Sequence, residues 1–172
     1  MKGLSATGAP QAGDRLRPPG PGGLVQVVNL TRGSVLGTAV AVAATWRSRR
    51  RGLLGRQGLE PGEGLWLWPC RWVHSLGMAF ALDVAHLDQR GRVVAAYRLA
   101  PGRVGPLVWR GTSVLELPAG TLHATGTRVG DRLAWTPAPS PSPPSSPTPA
   151  PGERTHTPKG RGTYTPDGRV ER

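Results

Sequence analysis

Large apolar residues crowd the middle of this chain and are nearly absent from its two ends. The first 23 residues close on RLRPPGPGG, and from Pro137 onward the sequence runs PAPSPSPPSSPTPAP before a further stretch of Gly, Thr and charged residues. Such segments cannot bury enough surface to offset the entropy of ordering them. Residues 1–23 are therefore expected to form a disordered N-terminal tail, and residues 137–172 a Pro/Ser/Thr-rich, disordered basic tail of polyproline-like character. That leaves residues 24–136 as a single β-rich domain, long enough for a core of its own.

Inside that segment the apolar residues come in short runs separated by turn residues. LVQVVNLT, RGS and VLGTAVAVAA read as strand, turn and strand. TWRSRRRGLLGR opens on Thr45, a good helix N-cap. Helical spacing sets Trp46, Arg50, Leu53 and Leu54 on one face, and Gly55 fits the stop. EPGEG is a turn. LWLWP is a strand apolar on both faces, hence a buried central strand or one with a side left to line a groove. RWVHSLGMAFALDVAHLD reads as one strand or two, broken near Gly77. The clearest unit is a hairpin of MAFALDVAHL, the turn DQRG and RVVAAYRLA.

Taking Asp88 to Gly91 as the loop, antiparallel pairing sets Leu87 opposite Arg92 and Asp83 opposite Ala96. Phe80, Leu82, Val84 and His86 then share a core face with Val93, Ala95, Tyr97 and Leu99. Asp83 falls on the other face among Ala79, Ala81 and Ala85, with Arg98 a diagonal neighbour within reach. Farther on, SVLEL is a strand, PAGTLHAT a short helix with Pro118 in its first turn, Gly126 its stop, and RVGD a turn into RLAW. The expected class is mainly β (α+β), a compact β-sandwich or partly closed barrel with one or two short helices, flanked by disordered tails.

The net charge of +12 makes nucleic acid or an anionic surface conceivable partners. Nearly all the cations are Arg in a chain rich in Ala, Gly and Pro, a pattern that coding bias also produces. Arg47, Arg49, Arg50, Arg51 and Arg56 form the densest cluster, yet the only aromatic beside them is Trp46. Without a stacking platform the cluster reads as a solvated helix face, and nucleic acid is disfavoured. The RVGD turn is similar to those of DNA-binding swapped-hairpin barrels, but a G-D turn occurs in many β proteins. The single cysteine, Cys70, excludes an intramolecular disulfide, and its neighbours Trp68, Pro69 and Trp72 favour a packed thiol. No apolar run follows Lys2, and the run from 34 to 44 is too short to cross a bilayer. The expectation is a cytoplasmic chain without a transmembrane segment, or an exported one if the start codon is misassigned.

Cys70, His74, Asp83 and His86 are residue types that hold zinc. Asp83 and His86, three apart on a strand, point to opposite faces, and compact ligand spacing is missing. No metal or cofactor is expected. Ser75, His74 and Asp83 can be written as a triad, but neighbours on an extended strand diverge, and no nucleophile elbow is present; no catalytic residue is assigned. Asp83 is the sharper case. Ringed by alanines, it is either a brace that pairs with Arg98 or Arg51, or accepts backbone N–H bonds from a loop, or it is the floor of a site.

RRRGLLGR, LEPGEGLWLWPCRWVHSLGMAFALDVAHLD, GRVV and VLELPAGTLHATGTRVGDRL, in this order, resemble the domain of unknown function family 192, also called uncharacterised protein family 0127. Arg51, Gly52 and Leu53 match its R-G-L core. His74, Met78, Phe80 and Asp83 match its H-x-x-x-M-x-F-x-x-D strand, and Glu116, Leu117, Gly120, Gly130 and Asp131 its closing elements. The resemblance covers roughly Val27 to Trp135. It implies a compact β-rich fold with a helix after the first strand pair, and an envelope or secretion context for many members; it implies no activity. Ala79 and Ala81 stand where many relatives carry Arg and Pro, so an anion-binding role of that Arg would be lost here.

The expectation is therefore a noncatalytic binding or accessory domain for an unknown ligand or protein partner, with Asp83, Arg98, His74, Arg51 and Glu116 as a candidate groove. Two alternatives are a small hydrolase-like enzyme using the Asp83 and His74 region, and a basic nucleic-acid-binding barrel.

Overall fold

The computed structural model describes residues 16–18, 20, 22–43, 53 and 55–138. Seven strands and one short helix follow in chain order: β1 (Leu24–Asn29), β2 (Ser34–Ala43), β3 (Glu63–Leu67), β4 (Leu82–Leu87), β5 (Val93–Leu99), β6 (Ser113–Pro118), α1 (Thr121–Ala124) and β7 (Leu133–Pro137). They form one sheet in the order β5-β4-β6-β3-β2-β1-β7. β2 and β3 pair in parallel, and the other pairings are antiparallel. A parallel pair needs a long crossover, which residues 44–62 provide. The helix expected from Thr45 to Gly55 falls mostly within that connection, outside the described residues; Leu53 is described and buried.

Local chemistry sets the hairpins. Asn29 ends β1, and its Oδ1 accepts from the backbone N–H groups of Thr31 and Arg32, bending the chain into the β1–β2 turn. Asp88 does the same after β4, its Oδ1 accepting from the N–H groups of Arg90 and Arg92.

The sheet curls because its two outer strands meet at one end. Val93 N–H donates to Asp131 O at 2.9 Å, Gly130 N–H to Val93 O at 2.8 Å, and Leu133 N–H to Gly91 O at 2.8 Å. This joins the start of β5 to the start of β7 and makes a half-barrel, the partly closed form of the expected class. Val25, Val27, Val40, Trp66, Ala85, Leu87, Leu115 and Leu117 fill its interior, with Leu122 of α1 among them. A second core, with Leu65, Leu67, Leu82, Val84 and Val114, lies on the outer face beneath loop residues such as Val73 and Leu59. Strands β4 and β6 are consequently buried on both faces, as is most of β3, the central strand foreseen from LWLWP.

Three expectations need correction. The segment before β4 is not a strand: from 71 to 81 only His74 makes an isolated bridge, to Val104. Ser75 explains why, since it is fully buried and binds a different part of the chain. Its Oγ donates to Ala100 O at 2.6 Å and accepts from Arg103 N–H at 3.0 Å, so the backbone follows that loop rather than a neighbouring strand. Pro118 closes β6 instead of opening the helix, which begins at Thr121 after Gly120 turns the chain with φ of 99°.

The β4–β5 register also differs. Leu87 pairs with Val93, then a bulge intervenes, and His86 pairs with Ala95 and Asp83 with Arg98. The longer turn and the bulge each add one residue. The offset of two returns Asp83 and Arg98 to a common face, whereas Val93 is turned to the interior, away from the His86 face.

Candidate functional site: the open seam of the half-barrel

Beyond Val93 the two edges of the sheet part, and the gap is the seam of the barrel. Asp83 opens β4 on the interior face, beside Leu117 of β6 and Arg98 of β5. The chain leaving β6 passes over it. Asp83 Oδ2 accepts from the backbone N–H groups of Gly120 and Leu122, both at 2.9 Å. Oδ1 receives Arg98 Nε at 3.4 Å, a long contact for a charged pair. Asp83 is buried while the Arg98 side chain is 60% exposed, so the carboxylate is committed to the fold and most of the guanidinium faces outward.

The far wall of the seam is residues Thr127 to Gly130, and it is firmly anchored. Asn29 Nδ2 donates to Thr127 Oγ1 at 3.0 Å and to Asp131 Oδ2 at 2.9 Å. Arg32 grips both Asp131 oxygens through Nε and Nη2, and Arg128 N–H closes the turn onto Oδ2. The Arg32 guanidinium, helped by Asn29 and Arg128 N–H against the cost of burial, holds the Asp131 carboxyl down to about 2. Between this wall, α1 and β5 lies a shallow cavity of about 570 Å³ lined by Asp83, Ala96, Arg98, His123, Arg128 and Val129 among others. Arg98, His123 and Arg128 ring it with cationic and titratable groups; the one carboxylate present already holds its partners. Val129 adds an exposed apolar rim.

Of the five residues expected to share a groove, the structure unites Asp83 and Arg98. Glu116 pairs with Val84 across β4–β6, so it points to the outer face, opposite to Asp83. His74 is exposed on the loop before β4, edge-on to Trp72 with ring centroids 5.7 Å apart. Arg51 lies outside the described residues. His123, Arg128 and Ala96 enter the site without having been singled out in the sequence as site residues; the signal available was the short basic turn TRVGD following a helix stop.

A second polar group lies on the outer face. His86 is fully buried and its Nε2 hydrogen-bonds Tyr97 Oη at 3.0 Å, the rings stacked with centroids 5.7 Å apart. Among the described residues His86 Nδ1 has no hydrogen-bond partner. Burial pushes the imidazole down to about 4. Burial, with Glu116 and Cys70 nearby, pushes the Tyr97 phenol up to about 12. Burial alone raises the Glu116 carboxyl to about 7. Gly105 packs against Tyr97 Oη so closely that a side chain there would collide with it. Cys70, partly buried, contacts Trp72 O through Sγ at 3.1 Å.

A second opening, of about 600 Å³, runs beside Trp68, Cys70, Arg71 and Thr112. Arg17 lies over the Trp68 ring, 5.2 Å from its centroid. Among the described residues no group of His, Cys, Asp and Glu is placed to hold a metal ion, and no helix is long and apolar enough to cross a membrane.

The fold has known counterparts. The family model DUF192, described as Uncharacterized ACR, matches residues 27–135. A candidate transcription regulator from Sinorhizobium meliloti superimposes with a TM-score of 0.55 at 22% identity, covering 66% of this chain and 92% of its own. A protein of unknown function from Novosphingobium aromaticivorans does so with a TM-score of 0.57 at 22% identity, covering 65% of this chain and 84% of its own. At that identity the likeness extends to the fold alone. No curated protein matches the chain.

Proposed function

The chain belongs to the DUF192 family, and from that premise and the geometry of the seam we propose that it is a noncatalytic binding module whose ligand enters the gap between β5 and residues 127–130. The observation that carries this reading is the commitment of the Asp83 carboxylate and the Thr127 hydroxyl there. Asp83 accepts two backbone N–H bonds and Arg98, which leaves it poorly placed as a general base. Thr127 Oγ1 is held by Asn29 and Thr125. Arg98, His123 and Arg128 remain as groups facing outward, suited to holding an anionic moiety.

The test is to follow backbone amide shifts of the full chain while adding small carboxylates, phosphates and neutral fragments. Binding should move Ala96 to Arg98, His123 and Arg128 to Gly130 together. Ligands that gather instead beside Trp68 would refute the placement, and turnover of an ester or phosphoester panel would favour the enzyme reading. The description of the Sinorhizobium protein and the basic character of this chain are why duplex DNA belongs in the same titration. Affinity falling steeply with salt would favour a nucleic-acid role.

A further inference from the structure

We infer that the seam receives an extended peptide segment carrying carboxylate side chains, which adds a short strand to the free edge of β5; this deepens, and rests on, the reading of the seam as the binding site. The argument begins with which backbone groups are left open. Leu87 O accepts from Thr112 N–H, so the Leu87 backbone faces β6. Alternation along β4 then aims His86, Val84 and Leu82 at β5. Their partners Ala95, Tyr97 and Leu99 are used in return, and Ala96 and Arg98 turn their N–H and C=O groups to the outer side. Among the described residues β5 is the last strand of the sheet and pairs, as a strand, only with β4. The bonds that close the barrel engage Val93 and stop there. The cavity lies along that edge, at Ala96 and Arg98.

A small anion would use the cationic side chains and leave this row of main-chain donors and acceptors idle. An extended peptide uses both, since strand addition draws affinity from main-chain bonds and specificity from alternate side chains. Charge selects the occupant. A strand laid on β5 passes between Arg98 and Arg128, so carboxylates on it are favoured. The chain's own residues 137–172 carry 5 cations against 3 anions, and residues 24–136 carry 14 against 6. Edge pairing with the C-terminal segment or with a second copy would bring like charges together.

The experiment uses the full chain, the blocked peptide Ac-Val-Glu-Val-Glu-Val-amide, its lysine counterpart, and inorganic phosphate and acetate as small-anion probes. The glutamate peptide should bind and slow hydrogen exchange at the Ala96 and Arg98 amides at least ten-fold, and the lysine peptide should not. Arg128→Glu, an exposed change that leaves the Arg128 N–H bond to Asp131 in place, should weaken the glutamate peptide at least five-fold. It should also raise affinity for the lysine peptide. If phosphate or acetate moves the seam amides while neither peptide protects Ala96 and Arg98, the seam is a small-anion site and this inference fails while the binding site stands. If no probe of any class moves the seam amides, both fall. Equal binding of the two peptides would refute the charge argument and with it the proposed occupant.

Discussion

Replacing Glu116 by Gln should stabilise this protein, and only above acid pH. Glu116 sits on the outer face of β6, 5% exposed, paired across the sheet with Val84 on one side and Leu65 on the other. Among the described residues no side chain forms an ion pair with it. Burial raises its carboxyl from 4.5 to about 7. The folded protein therefore keeps this proton between pH 4.5 and about 7, where the unfolded chain has released it. In that window the native state binds more protons, so stability falls as pH rises, then levels off. Each pH unit of the window corresponds to about 1.4 kcal/mol, which gives a penalty of order 3 kcal/mol above neutrality. Gln is close in shape and carries no charge. Urea unfolding of both proteins should therefore agree to within about 0.5 kcal/mol at pH 4.5 and separate by about 2 to 3 kcal/mol in favour of Gln at pH 8. His86 titrates in the opposite sense but is common to both proteins and cancels in the difference. A Gln variant equal to or less stable than the parent at pH 8 would refute the reasoning, because it would mean that the native structure compensates the carboxylate.

Three further outcomes follow from the same structure. His86 is depressed from 6.5 to about 4 by burial, so the stability it contributes is present above pH 6.5 and lost as pH falls towards 4; an NMR titration of its ring protons should show no inflection above about pH 5. Asp83→Asn keeps the size but places an amide where two backbone N–H groups and Arg98 need acceptors, and should cost about 2 kcal/mol in chemical unfolding at pH 7. A variant as stable as the parent would mark Asp83 as a residue kept for binding. Leu16→Ala should cost about 2 to 3 kcal/mol, because Leu16 is buried in the interior core and its N–H donates to Gln89 O at 2.7 Å. An unchanged melting curve would mean that this contact adds nothing to the domain.

The sequence was most legible where structure is local. Asn29 and Asp88 each bind the turn that follows them, and the short apolar runs LVQVVN and SVLEL match β1 and β6. Register was harder, because alternation cannot reveal an added residue. The longer turn and the bulge near Val93 and Val94 together shift the pairing of Asp83 from Ala96 to Arg98. The segment before β4 misled because its apolar residues do pack, Met78 and Phe80 among them, yet they do so from a loop tied down by Ser75. Leu16 falls in a segment whose composition, dominated by Pro18, Pro19 and Gly20, is that of a tail; its own burial depends on the β4–β5 turn, far away in sequence. The candidate groove failed to assemble for a similar reason. Whether Glu116 shares a face with Asp83 depends on the β4–β6 register, set between segments about thirty residues apart, and the seam itself exists only once seven strands have curled.

Asp83 illustrates how a structural brace can shape the proposed binding site without itself facing the ligand. Its Oδ2 fixes Gly120 and Leu122, which holds α1 over the end of the barrel and keeps His123 at the seam. Its Oδ1 steers Arg98 while leaving that side chain largely exposed. An unpaired strand edge is ordinarily a hazard, since it templates pairing with any other chain. Here the free part of β5 is short, follows a bulge, and is flanked by Arg98 and faced by Arg128. Those features discourage pairing between copies of a basic chain and leave the edge open to an acidic one. Specificity at an edge can be obtained from this kind of repulsion as readily as from attraction. It follows that Arg98→Glu with Arg128→Glu, which removes the repulsion, should increase self-association of the chain at low salt even as it abolishes binding of acidic peptide. Sedimentation of the double variant against the parent measures this, and an unchanged monomer fraction would show that charge is not what keeps the seam free.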